Sequence, residues 1–258
     1  MSGLAVVTGA TGGLGIQLCR LLAKEGYDLI ITGRYEGKLR MLANELKALQ
    51  SINVSFLEGD LAEAEVRQKL FELTPKAPDI LVNNAGFGDY GPFAECDWDK
   101  QDKMIKVNVL ALSHLTRLFL PGMIKNGHGR ILNVASVAAF QPGPLMSVYY
   151  ATKNYVLAFS EALSVELRGT GLTVTALCPG PVNTGFAKAA NAENINVFKE
   201  SSGADSELVA KYAYKALMKG KVVAVCGFKF KVLIFFERLL PRSTVRKQLY
   251  RIQKSRTK

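Results

Sequence analysis

Tyr149 is followed four residues later by Lys153 in the run Tyr149-Tyr150-Ala151-Thr152-Lys153. On a helix that spacing brings both side chains to one face. A phenol with a pKa near 10 is a poor acid–base group at neutral pH, and bringing it to about 7 takes roughly 4 kcal/mol of preferential phenolate stabilisation. An adjacent ammonium supplies stabilisation of that kind. Tyr150 would pair with Asn154 and Tyr155 with Phe159, so neither has such a partner, while the alternative for Tyr149 is a plain core aromatic. Thirteen residues upstream, Ser136 closes the run Asn133-Val134-Ala135, where its hydroxyl either donates to a carbonyl oxygen or caps a turn.

A second group of residues has the chemistry of phosphate binding. The apolar run from Leu4 leads into Thr8-Gly9-Ala10-Thr11-Gly12-Gly13-Leu14-Gly15 and then a helical pattern. Glycines in that context let backbone amides approach a pyrophosphate at a helix N-terminus; a merely tight turn is the alternative. The spacing is T-G-x-x-x-G-x-G, so Gly9, Thr11, Gly12, Gly13, Leu14 and Gly15 are the candidate phosphate-side residues. At the end of the second apolar run stands Gly33-Arg34, where a carboxylate would hold a ribose 2′-hydroxyl. The planar fork of Arg34 can instead pair with a 2′-phosphate, helped by Lys38 and Thr11, unless it is a solvated surface arginine. The pattern favours NADP(H) over NAD(H).

The elements that must position these groups alternate along the chain. Strands are expected near Leu4–Thr8, Asp28–Thr32, Val54–Glu58, Ile80–Asn83, Arg130–Ala135, Thr173–Leu177 and Val222–Val225, with helices at about 13–25, 36–50, 62–73, 99–126, 148–168 and 204–218. That rhythm predicts an α/β fold, a parallel sheet with helices on both faces. The polar run from Asn183 to Ser202 breaks it and is expected to be a lid or binding loop.

The composition, 48% hydrophobic and 21% charged, suits one globular domain. The net charge of +11 is not spread over it: residues 219–258 hold 12 Lys and Arg against the single acid Glu237, and the remaining residues hold 21 of each sign. That distribution excludes a domain-wide basic face for nucleic acid. Cys19, Cys96, Cys178 and Cys226 are too far apart for a zinc pair or a disulfide framework, and a cytoplasmic setting is expected. The N-terminal residues read as a buried strand and not as an export signal, and the apolar stretch Val222–Leu240 is too charged to span a bilayer. Histidines occur only at His114 and His128, and there is no G-x-S-x-G elbow, which disfavours a serine hydrolase; no metal site is expected.

Together these stretches resemble the short-chain dehydrogenase/reductase family over roughly residues 4–187. Beside the glycine loop and the Tyr149/Lys153 pair, Asp60-Leu61 is similar to the family's adenine-side aspartate segment, and Asn83-Asn84-Ala85-Gly86 resembles its strand-four motif, making Asn83, Ala85 and Gly86 candidate cofactor residues. Asn108 matches the asparagine that completes a Ser, Tyr, Lys and Asn tetrad, and Pro179-Gly180-Pro181-Val182-Asn183-Thr184 resembles the segment that holds the nicotinamide carboxamide. The resemblance implies a Rossmann-like, doubly wound seven-stranded sheet in the order 3-2-1-4-5-6-7. It further implies hydride transfer between NADP(H) and a ketone, aldehyde or secondary alcohol. In that reaction Tyr149 is the general acid, Ser136 polarises the carbonyl, Lys153 lowers the phenol pKa and binds the nicotinamide ribose, and Asn108 supports a water leading to Lys153. A homo-oligomer, dimer or tetramer, pairing through helices 99–126 and 148–168 is implied as well. Phe87, Tyr90, Phe93, Phe140, Leu145, Met146, Phe186 and Phe198 would surround an apolar substrate. The alternative is a non-catalytic NADP(H)-binding sensor or scaffold.

A reductase domain of residues 1–227 leaves a basic helical extension, 228–258. Phe228, Val232, Phe235 and Leu239 follow helical spacing, with Leu233, Ile234, Phe236 and Leu240 on other faces, and Pro241 ends that helix. Ser243 or Thr244 is expected to cap a second, in which Val245, Leu249 and Ile252 oppose Arg246, Lys247, Arg251 and Lys254. Three placements compete: packing on the sheet edge or a partner subunit, attachment to the anionic inner membrane surface at about 1 kcal/mol per basic residue, and a lid over the substrate.

Overall fold

The computed structural model of the protein describes residues 3–186, 190 and 203–254. Most of the expected loop between Asn183 and Ser202, with Phe198, lies outside the described residues. The chain begins β1 (Leu4–Val7), α1 (Gly13–Lys24), β2 (Asp28–Gly33), α2 (Glu36–Leu49), β3 (Val54–Glu58), α3 (Ala64–Leu73) and β4 (Ile80–Asn83). It continues through α4 (Trp98–Ile105), a π-helical segment (Lys106–Ala111), α5 (Leu112–Asn126), β5 (Gly129–Val134), a 3-10 turn (Val137–Phe140), α6 (Ser147–Glu166) and β6 (Leu172–Cys178). Last come α7 (Ser206–Met218), β7 (Val223–Val225), α8 (Phe228–Glu237) and α9 (Arg242–Lys254).

The seven strands form one parallel sheet in the order β3-β2-β1-β4-β5-β6-β7, as the family resemblance implied. Buried strands read as unbroken apolar runs because both faces are covered, and alternate side chains go to opposite layers. In β1, Ala5 and Val7 pack with Leu18, Leu22, Leu39 and Ala213 of α1, α2 and α7. Leu4 and Val6 pack with Leu115, Phe119 and Leu163 on the other side. The strand order reverses between β1 and β4, and such a switch point opens a crevice at the carboxyl ends of the strands.

Two features were not in the expected pattern. The helix expected at 99–126 runs from Trp98 to Asn126 but loosens into a π-helical turn over Lys106–Ala111, which contains Asn108. Among the described residues it is the one helix long and apolar enough to cross a membrane, yet Val107, Ala111, Leu112, Leu115 and Phe119 bury its inner face in the core. The last helix begins at Arg242, directly after Pro241, so Ser243 and Thr244 fall inside its first turn and neither is the cap.

Candidate active site

A cleft of about 700 Å³ runs across the carboxyl ends of the strands, walled by the segments that follow β1 to β6. At its nucleotide end, Gly9 has φ +63 and lies so close to β4 that a Cβ would stand 2.8 Å from the Ala85 backbone, so only glycine makes this turn. A Cβ on Gly13 would meet the Thr184 side chain at 2.7 Å, which brings the loop after β6 against the glycine turn. The first helical hydrogen bond is donated by Ile16 to Gly12, leaving the amides of Gly13, Leu14 and Gly15 at the open end of α1. A turn stripped of side chains, with amides directed outward at the positive end of a helix, fits a pyrophosphate.

Thr11, Arg34 and Lys38 line the same end, with Arg34 and Lys38 exposed. The Tyr35 ring stands between these two cations, 5.8 Å from the Arg34 guanidinium and 5.1 Å from Lys38 Nζ. Beyond them Asp60 accepts from the Ala62 amide at 3.0 Å and pairs with Lys103, and these contacts offset its partial burial and hold its carboxyl below the usual range. Buried Arg67 pins the segment by donating to the Leu61 and Ala62 carbonyls, and its third bond goes to His114, which occupies that histidine in the scaffold. Leu61, Ala85, Gly86, Pro179, Gly180, Val182 and Thr184 also line the cleft.

Asn83 does not. Its amide nitrogen donates to Thr116 Oγ1 (3.1 Å) and Asn133 Oδ1 (2.9 Å), and Asn133 passes the chain of bonds on to Ser160 (2.9 Å). This buried network ties β4 and β5 to α5 and α6 beneath the cleft. The neighbouring Asn84 is the asparagine on the cleft wall, and it donates to the carbonyls of Thr8 and Gly9 at 3.0 Å each.

Three members of the expected tetrad, Ser136, Tyr149 and Lys153, line the middle of the cleft. Tyr149 and Lys153 share one face of α6 and are buried, with Lys153 Nζ 5.8 Å from the centre of the Tyr149 ring. Ser136 takes the capping role, its Oγ accepting from Ala138 (3.1 Å) at the 3-10 turn, and it also interacts with the Tyr149 phenol. Asn108 lies behind the wall, bonded to the Phe87 amide (3.1 Å) and carbonyl (2.9 Å) and to Thr152 (3.0 Å). A Cβ on Gly86 would meet Asn108 Oδ1 at 3.0 Å and Lys153 Nζ at 3.4 Å, so these three positions close on one point.

The electrostatics differ from the expected tuning. Burial pushes the Tyr149 phenol up and not down, with Ser136 pulling weakly the other way, and burial pushes Lys153 down to about 8. The Lys153 ammonium donates to the Val134 carbonyl at 2.7 Å and lies 5.8 Å from the centre of the tyrosine ring. Spacing alone did not mark this pair, because Tyr250 and Lys254 repeat it outside the cleft wall.

At the substrate end, Phe87 and Phe186 line the cleft, Met146 packs beside Tyr149, and Phe93 is exposed. Tyr90 packs against this cluster, Phe140 belongs to the neighbouring core, and Leu145 adopts φ 63. The remaining wall comes from the C-terminal extension. Phe230, Leu233, Ile234 and Glu237 of α8 and Leu249, Ile252 and Gln253 of α9 line it. The Phe230 ring lies where a Cβ on Gly180 would be, 2.3 Å away, and Gln141, turned so that its nitrogen faces Glu237, donates to that carboxylate. The sequence signal for this wall was present as the helical spacing of Phe230, Ile234 and Glu237. The stripe singled out from the sequence, Phe228, Val232, Phe235 and Leu239, is the exposed face, with Phe228 80% and Leu239 68% accessible.

The short chain dehydrogenase family model matches residues 3–195. The human very-long-chain 3-oxoacyl-CoA reductase is 35% identical over 189 residues, covering 71% of this chain and 61% of that protein. The chain thus spans less than two thirds of the length of such curated relatives. A short-chain dehydrogenase from Sphingobium yanoikuyae in complex with NADPH superposes with TM-score 0.83 at 26% identity, over 92% of this chain and 94% of that one. One from Burkholderia phymatum in complex with NAD does so with TM-score 0.83 at 26% identity, over 90% and 92%. With its Ser136, Tyr149 and Lys153 on the wall of a cleft across a seven-stranded sheet and Asn108 behind that wall, the chain belongs to the short-chain dehydrogenase family.

Proposed function

We propose that the protein reduces ketones or aldehydes with NADPH, acting on an apolar carbonyl compound. The observation that carries this reading is the position of Tyr149 and Ser136, between a glycine-lined end rimmed by Arg34 and Lys38 and an apolar end lined by Phe87, Phe186, Phe230 and Ile234. The glycine turn, Thr184 and the open amides of α1 hold the dinucleotide, and Arg34 with Lys38 meets a 2′-phosphate. When bound, the cofactor supplies the hydride. Ser136 donates to the carbonyl oxygen and fixes it beside the phenol. Tyr149 gives its proton to the oxygen as the carbonyl carbon is reduced, and burial keeps the phenol protonated, so that the proton to be given is in place. Lys153 places a positive charge against the phenol ring, and Asn108 holds the Phe87 backbone and thereby the loop facing Lys153. NADPH pools are normally reduced, which favours carbonyl reduction as the working direction.

NADPH oxidation with aliphatic aldehydes and ketones tests the reading. Tyr149→Phe is expected to lower kcat at least about 100-fold with the affinity for NADPH unchanged. Undiminished turnover by that variant refutes the mechanism, and NADPH binding without any turnover by the wild type identifies a sensor or scaffold instead.

Two further parts of the reading concern location and assembly. Phe228, Phe235, Phe236, Leu239 and Leu240 are exposed on the extension among its basic residues, a combination that supports cytoplasmic protein docked on an anionic membrane surface. Flotation with phosphatidylglycerol vesicles is expected to carry the wild type and not Phe235→Glu/Phe236→Glu, and failure of the wild type to float refutes it. Exposed Leu110, Ile124, Tyr155 and Val165 on α5, α6 and the π-helical turn between α4 and α5 support pairing of two copies through those helices.

A further inference from the structure

Two carboxylates line the cleft, and the fold treats them differently. Asp60, at the nucleotide end, is paired with Lys103. Glu237, on the wall that α8 gives to the substrate end, takes part in none of the ion pairs among the described residues. Its side-chain partner is Gln141, whose amide nitrogen, turned toward it, donates to both carboxylate oxygens, to the second at 3.1 Å. Both residues line the cleft, so the carboxylate stands at the seam between α8 and the 3-10 turn that Ser136 caps. A carboxylate has about four acceptor positions, and one amide group leaves part of that capacity unused. Glu237 is only partly buried and lines the cleft, which leaves it open to a ligand there. Burial raises its pKa, and no neighbouring charge pulls it back. This isolation is not for want of cations: residues 219–258 hold 12 Lys and Arg against this one acid, yet the residues three and four away from it, Leu233, Ile234, Leu240 and Pro241, are all apolar. Holding α8 to Gln141 needs an acceptor and not a charge. A partly buried charge without a counter-charge is unfavourable, and a ligand that brings one removes the deficit.

We infer that Glu237 is a specificity-determining residue that selects substrates by charge, its carboxylate pairing with a cationic group remote from the reacting carbonyl. This rests on the reductase reading and names its substrate class: carbonyl compounds with an apolar body and an ammonium group at the far end. Like charges brought together in a partly desolvated site repel, so a substrate ending in a carboxylate is the disfavoured counterpart.

The test uses full-length protein with NADPH at pH 8 and three series of probes: 2-alkanones of six to ten carbons, the same ketones ending in trimethylammonium, and the same ketones ending in carboxylate. Trimethylammonium carries the charge without an amine to condense with a carbonyl. Values of kcat/KM are measured for each probe, and binding is measured by calorimetry with NADP+ in place of NADPH. Preferences are compared within each protein, so that changes in folding or in nucleotide affinity cancel. The wild type is expected to favour the cationic over the anionic member at least about tenfold at one chain length or more. Glu237→Gln, which keeps an acceptor for Gln141, is expected to lower that ratio at least about fivefold, and Glu237→Lys to invert it. A wild type that shows no cationic preference at any chain length overturns the inference, as does a preference that survives in Glu237→Gln; turnover of the uncharged ketones in either case leaves the reductase reading standing. A Glu237-dependent preference in binding without NADPH oxidation by any probe refutes the reductase reading instead and leaves the assignment of Glu237 standing.

Discussion

Lys153 is held in the site against its own preference for water, and the cost is measurable. Burial brings its ammonium from 10.5 to about 8, which corresponds to about 3.4 kcal/mol at about 1.36 kcal/mol per pH unit. The Cys178 thiol beside it is pushed up to about 12 by burial and offers no negative charge at neutral pH to offset this. Below pH 8 the lysine is charged in both folded and unfolded chains, so the folded state carries the whole penalty. Between pH 8 and 10.5 the folded state has released the proton while the unfolded one still binds it, so stability gains with rising pH; above 10.5 the penalty is gone. Lys153→Met removes the charge and also the bond to the Val134 carbonyl, worth about 1–3 kcal/mol if that oxygen is left unpaired. At pH 7, without added nucleotide, the variant should therefore be more stable than wild type by about 0.5–2.5 kcal/mol while losing activity. From pH 7 to pH 10 its advantage should shrink by about 2.5 kcal/mol and change sign or nearly so. Urea unfolding of both proteins at the two pH values reads this directly, since other titrating groups cancel in the difference. A difference that does not change with pH would refute the argument that Lys153 is a buried, destabilising cation.

Arg34→Asp should raise the Kd for NADPH at least about tenfold and leave that for NADH unchanged or lower, measured by nucleotide fluorescence; equal wild-type rates with both cofactors would overturn the role of Arg34. Gly13→Val places side-chain atoms where Thr184 now packs and should weaken nucleotide binding at least about tenfold in the same assay, whereas retained affinity would mean the loop after β6 moves freely. Asn83→Leu should lower unfolding free energy by about 2–3 kcal/mol, because Asn133 loses its donor inside the buried network, with the NADPH affinity of the folded protein unchanged. A loss of NADPH affinity without a loss of stability would return Asn83 to the cofactor site.

What was legible in the sequence depended on local rules. The glycine turn, Arg34 and the Tyr149/Lys153 pair are fixed by neighbours within a few residues, and the structure brings all of them to one cleft. Asn83 against Asn84 was not legible, because successive residues at a strand end face opposite ways and a shift of one residue exchanges their roles. Nor was the proton affinity of Tyr149, since its burial depends on Met104, Phe87 and Phe186, which come from distant segments. Tyr250 and Lys254 make the same point from the other side, having the spacing without the place.

The extension shows why periodicity needs a partner to have a direction. Phe228, Val232, Phe235 and Leu239 on one side of α8, and Phe230, Ile234 and Glu237 on another, both satisfy helical spacing. What decides between them is Gly180, whose missing side chain admits the Phe230 ring and thereby seats α8 with its second stripe inward. A glycine expected to serve the cofactor thus also docks the helix that walls the substrate end. The consequence is a coupling: the inner stripe cannot face the cleft without the outer stripe, rich in phenylalanine and flanked by lysines and arginines, facing away from it. More than half of the chain's excess charge, +6 of +11, and one wall of its cleft therefore belong to the same two helices, and a perturbation that lifts α8 from Gly180 should alter the proposed membrane docking and substrate choice together.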